Sequence, residues 1–338
     1  MNMQRYSRQT VFSGIGVEGQ KKLLDSRVVI IGMGATGTVI ANNLCRAGVG
    51  FLRLVDRDYV ELSNLQRQTL YTEEDAQQRM PKAVAACEHL KKVNSEIELE
   101  PASMDVNFSN IETLISDVNL VLDGSDNMEV RYLINEACVK QNRPWIYAGA
   151  ISGAGMTMNI RPRETPCLRC LFPQVLPAGS GSTCSTAGVL NGITGIVASF
   201  ASTEALKILI GSTNVRKSLL AIDIWTNQFD EITIEKKLDC PVCGKNKYEL
   251  LGRLSGSYTT SLCGSDSVQV VPGVAATVDF EQFAKKLKKV GVVRYNKFML
   301  QFSDGKFEFN LFPDGRAIIN GVKDENAAKS AYSEYIGL

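Results

Sequence analysis

The chain has 338 residues, 44% hydrophobic and 22% charged, enough apolar material for one large domain and a smaller one. Thirty-seven basic residues against thirty-six acidic ones leave a formal charge of +1, which excludes a global field drawing the protein to nucleic acid or to an anionic membrane. Nine cysteines are an odd count for a disulfide framework, and the N-terminal MNMQRYSRQTVF carries arginines where an export signal needs an apolar run, so a cytoplasmic location is expected.

Arg27–Ile31 reads as a short β-branched strand running directly into Gly32-Met-Gly34-Ala-Thr-Gly37, with a helical pattern over Ala35–Ala47. Glycines at this spacing let the backbone turn tightly and approach a phosphate at a helix N-terminus. A second strand, Phe51–Val55, ends at Asp56, nineteen residues after Gly37, where a carboxylate can accept ribose hydroxyls. Helical patterns over Lys82–Val93 and Met128–Gln141 alternate with strands at Leu120–Asp123 and Trp145–Ala148. This alternation predicts an α/β, Rossmann-like fold: a largely parallel sheet with helices on both faces and its crevice at the strands' carboxyl ends.

After Arg163 the pattern changes. A Pro/Gly/Ser-rich loop, LFPQVLPAGSGSTCST, precedes Ala187–Thr203, seventeen residues without a charge. That stretch is short for a membrane span, rich in glycine and hydroxyl residues, and continues into Glu204 and Lys207, so it reads as a buried helix. Strands follow at Leu219–Ile224 and Glu231–Glu235. Gly252–Ser267 has no clear periodicity, and beyond it strand-like runs (Phe298–Phe302, Phe307–Phe312, Ala317–Asn320) alternate with helical ones (Asp279–Lys289, Asn326–Tyr335). The division expected is 1–251 for the nucleotide-binding domain and 252–338 for a linker and a small α+β appendage. Within the appendage, Lys285–Lys289 reads as a solvated helix face around Leu287.

The glycine loop alone fits NAD as well as ATP. Its surroundings favour ATP: Val55–Gln68 adds Asp58, Asn64, Arg67 and Gln68, Lys82 follows Pro81, and the third strand ends in DGSDN with Asp126 available to a Mg²⁺. Two cations beside the phosphates suit a triphosphate better than a dinucleotide. The single histidine, His89, reads as a helix-surface residue, which disfavours histidine-based catalysis.

Cys167-Leu-Arg-Cys170 and Cys240-Pro-Val-Cys243 have the two-residue spacing with which both thiolates of a knuckle reach one tetrahedral Zn²⁺. With sixty-nine residues between the pairs, the metal would staple two distant segments, a structural role; a redox pair is the competing reading. Cys45, Cys87 and Cys138 fall on helical patterns as small core residues. Cys184 stands alone in the Gly/Ser-rich loop, and Cys263 lies in the linker without an account.

Taken in order, RYSRQ (Arg5–Gln9), GMGATG, the run from Asp56 through Asn64, Arg67 and Gln68, Pro81-Lys82, DGSDN followed by Arg131 and Asn135, and the two C-x-x-C pairs resemble the ThiF/MoeB branch of the ubiquitin-activating enzyme superfamily. The resemblance covers about 240 residues and does not reach Arg253–Leu338. It implies an ATP-dependent adenylyltransferase that binds Mg-ATP and a small ubiquitin-like sulfur carrier of the ThiS or MoaD type, whose C-terminal Gly-Gly carboxylate attacks the α-phosphorus with release of pyrophosphate, for thiamine thiazole or molybdopterin synthesis. It further implies Gly32, Gly34, Gly37, Asp56, Asn64, Arg67, Lys82 and Asp126 around the nucleotide and its metal. Arg8 would cross to the partner's triphosphate in a homodimer. Cys184 aligns with a cysteine that some members of the family use in sulfur transfer and others, MoeB among them, do not need, so it reads either as a sulfur-transfer residue, with a persulfide-donating cysteine desulfurase as a further partner, or as a loop bystander. An NAD(P)-dependent oxidoreductase and a non-catalytic adaptor of the same fold are the alternatives.

Overall fold

The parallel core grows from β1 (Arg27–Ile31), a run of Val and Ile whose last four residues are buried. The computed structural model describes residues 3–175, 184–252, 258–261, 267–272, 278–322 and 324–337. These fall into two units, Met1–Leu176 with Ala187–Arg253, and Pro177–Thr186 with Leu254–Leu338.

In the first unit an eight-stranded sheet is made of β1, β2 (Phe51–Val55), β3 (Glu98–Ala102), β4 (Leu120–Asp123), β5 (Trp145–Ile151), β6 (Ala154–Ile160), β7 (Leu219–Asp223) and β8 (Gln228–Ile232), in the order β3-β2-β1-β4-β5-β6-β7-β8. The first five strands in that order are parallel and the last three are added antiparallel. The helices are α1 (Ser7–Val11), α2 (Gly16–Leu24), α3 (Ala35–Ala47), α4 (Glu73–Gln77), α5 (Lys82–Val93), α6 (Ile111–Leu114), α7 (Met128–Lys140), α8 (Leu168–Leu171), the short α9 (Cys184–Ala187, whose first three residues belong to the second unit) and α10 (Asn191–Ile210). The strand order reverses at β1/β4, so the loops after these strands flank the crevice. The expected final strand at Glu231–Glu235 lies three residues earlier, at Gln228–Ile232; as an exposed edge strand it carries no hydrophobic period to fix its limits.

Helix α10 is long and apolar enough to span a membrane by length and composition alone. It is instead a core helix: Ile193, Val197, Ala198, Ala201 and Ala205 are buried, and Glu204 accepts Asn159 Nδ2 (2.6 Å), Arg216 N (2.9 Å) and Lys207 Nζ (2.7 Å). A buried carboxylate so fully bonded is stable inside protein.

In the second unit β9 (Tyr258–Ser261), β10 (Ser267–Val271), β11 (Val292–Tyr295), β12 (Leu300–Ser303), β13 (Glu308–Leu311) and β14 (Ala317–Asn320) form an antiparallel sheet in the order β11-β12-β13-β14-β10-β9. Alternate residues Val268/Val270, Leu300/Phe302, Phe309/Leu311 and Ala317/Ile319 share a core with α11 (Phe280–Leu287) and α12 (Glu325–Tyr335). Asp279 and Asp324 cap the two helices, and Leu287 is buried among exposed lysines.

Candidate nucleotide site

Gly32 leaves β1 with φ +94°, and a Cβ there would lie 2.6 Å from the backbone of Gly124 and Ser125. At Gly37, on the first turn of α3, a Cβ would fall 1.9 Å from the Gly32 carbonyl oxygen. The loop after β1, the start of α3 and the turn after β4 are therefore packed backbone against backbone, and only glycine fits. Gly34 is the N-cap of α3 and supplies no capping side chain, so the first N–H groups of the helix remain available to an anion.

Asp56 fixes this loop from β2. Its Oδ2 accepts Met33 N and its Oδ1 accepts Asp58 N, both at 2.7 Å. Each oxygen retains a lone pair for a further donor such as a ribose hydroxyl. Burial raises the Asp56 pKa, and the nearby Lys82 ammonium opposes that rise. Tyr71, absent from the sequence reading, is buried, and its hydroxyl lies 2.8 Å from Met33 O and 3.2 Å from Lys82 O. No pattern flags it: it is one aromatic in a polar loop.

Lys82 opens α5, is only 7% exposed, and places Nζ 3.3 Å from Asp58 Oδ2. Burial pulls its pKa down, but the carboxylates of Asp58, Asp56 and Asp126 reverse this, so the net shift is upward and the side chain is cationic. Asp126 is exposed, close enough to act on Lys82 and Arg57 through its charge. The turn presenting it is built on the buried Asp123, which accepts Arg131 Nε at 2.9 Å and Ser125 N and Oγ at 2.9 and 2.6 Å. Asn127 then caps α7 through Glu129 N. Asp123 and Arg131 thus hold the loop, and Asp126 faces solvent with an oxygen-only donor group that suits Mg²⁺.

Asn64 is buried, and its Oδ1 accepts Glu61 N (3.2 Å) to close a short 3₁₀ turn over Leu62–Asn64. Arg67, one turn on, is half-buried, and its side chain makes a single hydrogen bond among the described residues, Nη1 to Ser63 O at 3.0 Å. The structure thus gathers Gly32, Gly34, Gly37, Asp56, Lys82 and Asp126 around one crevice, with Asn64 and Arg67 on the turn that precedes α4. Arg8 is not bonded to any of them. Within RYSRQ, Arg5 Nη1 donates to Val93 O, Tyr6 is buried with Asn94 Nδ2 on its hydroxyl, and Gln9 Nε2 donates to Ala47 O; Arg8 is exposed with no partner among the described residues.

His89 corrects the sequence reading. It is half-buried, with Nε2 2.8 Å from Asp75 Oδ2, and so joins α5 to the capping box of α4.

The four knuckle cysteines converge: their sulfurs all lie within 4.8 Å of one another, with Cys167–Cys240 at 3.6 Å and Cys170–Cys243 at 3.5 Å. A tetrahedron of thiolates ~2.3 Å from zinc has edges of roughly 3.8 Å, so the donor set fits Zn²⁺ with no open position. Asn135 Oδ1 accepts Leu168 N (2.9 Å) to anchor the first knuckle. A Cβ on Gly244 would lie 2.2 Å from Leu238 O, so the second knuckle turns only with glycine there. Cys45, Cys87 and Cys138 are buried, and burial pushes the Cys45 thiol up to about 11 and Cys87 to about 12, leaving them protonated. Cys184 begins α9, but its side chain, like Gly179–Thr183 and Cys263, lies outside the described residues.

The ThiF family profile matches residues 6–242. This chain belongs to the ThiF family. It is 41% identical over 336 residues to the sulfur carrier protein ThiS adenylyltransferase of Bacillus subtilis, covering 98% of this chain and 99% of that one. To the Escherichia coli protein of the same name it is 38% identical over 244 residues, 72% of this chain and 96% of the relative. The crystal structure of E. coli MccB with ATP shares the fold, with a TM-score of 0.62 at 22% identity over 72% of this chain and 75% of that one.

Proposed function

We propose that this ThiF-family enzyme is an ATP-dependent adenylyltransferase that activates the C-terminal carboxylate of a ThiS-type sulfur carrier for thiamine thiazole synthesis. The observation that carries the reading is the glycine-walled crevice, where the Lys82 ammonium lies among Asp58, Asp56 and Asp126 and Asp56 grips the loop that leads into the uncapped N-terminus of α3. The ThiS choice rests on the B. subtilis relative, which matches this chain almost end to end.

The carrier's carboxylate is an anionic nucleophile at neutral pH, so no general base is needed. Its oxygen bonds to the α-phosphorus as the bond to pyrophosphate breaks, giving acyl-adenylate and pyrophosphate. The chain's work is positioning and charge neutralisation. The α3 N–H groups, Arg67 and Lys82 hold phosphate oxygens, and Asp56 orients the ribose. Mg²⁺ held by Asp126 would supply further charge neutralisation on the leaving pyrophosphate, and the four cysteines would hold a structural Zn²⁺.

The same reading makes the enzyme a cytoplasmic homodimer in which Arg8 reaches the partner's triphosphate. It is supported by the Arg8 guanidinium, without a partner among the described residues and followed in the chain by exposed Val11 and Phe12, and by a groove of about 1110 Å³ along the outer face of α10. Cys184 is assigned to sulfur relay after adenylation, from a persulfide-donating cysteine desulfurase. The test is ATP–pyrophosphate exchange with purified ThiS-type and MoaD-type carriers. Exchange with the ThiS type alone supports the assignment; exchange with the MoaD type alone overturns the choice of carrier.

A further inference from the structure

The sheet of the second unit has an open edge at β11, which pairs with β12 on one side and with no strand on the other. Asn296 N donates to Met299 O at 3.0 Å, so these two residues form a hydrogen-bonded pair. By the alternation of an antiparallel ladder, Arg294–Gln301 and Val292–Ser303 are bonded pairs as well, in the register the strands show. The N–H and C=O groups of Val293 and Tyr295 therefore point away from β12, along the free edge.

Two further features mark this edge. Val290, Val292 and Tyr295 are 57%, 66% and 48% exposed, an apolar margin left in solvent. Around it the charge has one sign: Lys285–Lys297 holds six cations and no carboxylate, in a chain whose total is +1, so the rest of the chain is net acidic. Of those six, Lys285 alone has an ion-pair partner among the described residues, Glu281 at 2.9 Å. Lys285 also lies close enough to Tyr295 to interact with it electrostatically, so this flank of α11, with Lys288 one turn on, borders the edge. Val292 and Arg294 alternate with Val293 and Tyr295 and occupy the other face of the strand.

We propose that the β11 edge is a docking site for an extended acidic segment of a partner protein, which adds to the sheet as a further strand. Its backbone would bond to Val293 and Tyr295, and its carboxylates, at alternate positions, would meet the α11 lysines on one face and Arg294 on the other. Cations beside an edge also keep it from pairing with another like it. A second copy of this chain would bring the same charge to the same face, whereas an acidic strand gains from both the backbone and the charge. The inference is independent of the nucleotide-site reading, since none of these residues belongs to that site.

The probe is a fluorescein-labelled octapeptide alternating glutamate and valine, titrated with the full-length enzyme at low ionic strength and followed by anisotropy. Wild type should bind it saturably. The same peptide with every amide methylated keeps its charge but has no N–H to donate, and should bind at least about tenfold more weakly. Tyr295→Pro removes one outward N–H while sparing the ladder to β12, and should weaken the unmethylated peptide by a similar factor. Lys288→Glu/Arg294→Glu, both exposed, should keep the wild-type Tm, lose the glutamate peptide and gain an octapeptide alternating lysine and valine. No binding by wild type overturns the inference. Equal binding of the methylated peptide, or of an oligothymidylate of the same charge, also overturns it and leaves a patch that takes any polyanion.

Discussion

Gly37→Ala sets two known effects against each other. In an ordinary helix the substitution stabilises by about 0.5–1 kcal/mol, because alanine loses less backbone freedom on folding. Here the new Cβ would lie 1.9 Å from Gly32 O and 2.9 Å from Gly32 C, both backbone atoms that cannot rotate away. Restoring ordinary contact requires α3 and the loop to separate by roughly 1.5 Å, and overpacking of this kind costs about 1–3 kcal/mol. The net expectation is about 1–2 kcal/mol lost, or roughly 3–6 °C in Tm for a unit of this size. The functional effect is larger, since a shift of about 1 Å at a binding site can cost a factor of ~100. Gly195→Ala on α10, whose Cβ would meet nothing within 4 Å, provides the contrast and should hold or raise Tm. Thermal melts with and without Mg-ATP measure both. If Gly37→Ala melts and binds nucleotide as wild type does, the backbone-to-backbone packing described for the crevice is wrong.

Arg67→Ala and Asp126→Ala should each lower carrier-dependent pyrophosphate exchange by about 10²–10³ with an unchanged melt; near-normal exchange contradicts their assignment. Metal analysis should find one zinc per chain, and Cys243→Ser should lower Tm by about 8 °C or more through loss of the staple; metal-free protein of full stability would remove the zinc. Asp75→Asn should cost about 0.5–1.5 kcal/mol at neutral pH by weakening the bond to His89 and the α4 cap. Burial raises the Asp75 pKa, but bonds from Thr72 and His89 lower it more. Its contribution is therefore complete above the unfolded carboxylate value near ~4 and fades as pH falls through the lower folded value, so wild type and variant should converge only in acid. Cys184→Ser should retain exchange but fail to form carrier thiocarboxylate from a persulfide donor; equal yields would leave the loop cysteine without a role.

The elements easiest to read from sequence were those whose physics is local. β1, β2 and β4 are apolar runs ending in glycine or aspartate, and the limits of α3 and α5 follow from their periodicity. β3, with the sequence ELEPA, escapes because it is an edge strand carrying Pro101 and little buried surface. β6, AGMTMNI, is buried on both sides by a mixture of small and polar residues that has no clean alternation. In the site, the glycine loop announces itself because only glycine tolerates such close approach. Gly124, Tyr71 and the Asp123–Arg131 pair do not, since their meaning depends on chain segments up to tens of residues away. His89 gives the same lesson: its partner lies fourteen residues back, in a separate helix.

In the proposed reaction the crevice joins AMP to a carrier's C-terminus. Intact-mass measurement of a ThiS-type carrier, incubated with this enzyme and Mg-ATP and stopped before thiol is added, tests it most directly. The account predicts a carrier species heavier by one adenylyl group, absent when the terminal glycine is removed or when NAD replaces ATP. An unmodified carrier under conditions where the enzyme demonstrably binds Mg-ATP would contradict it.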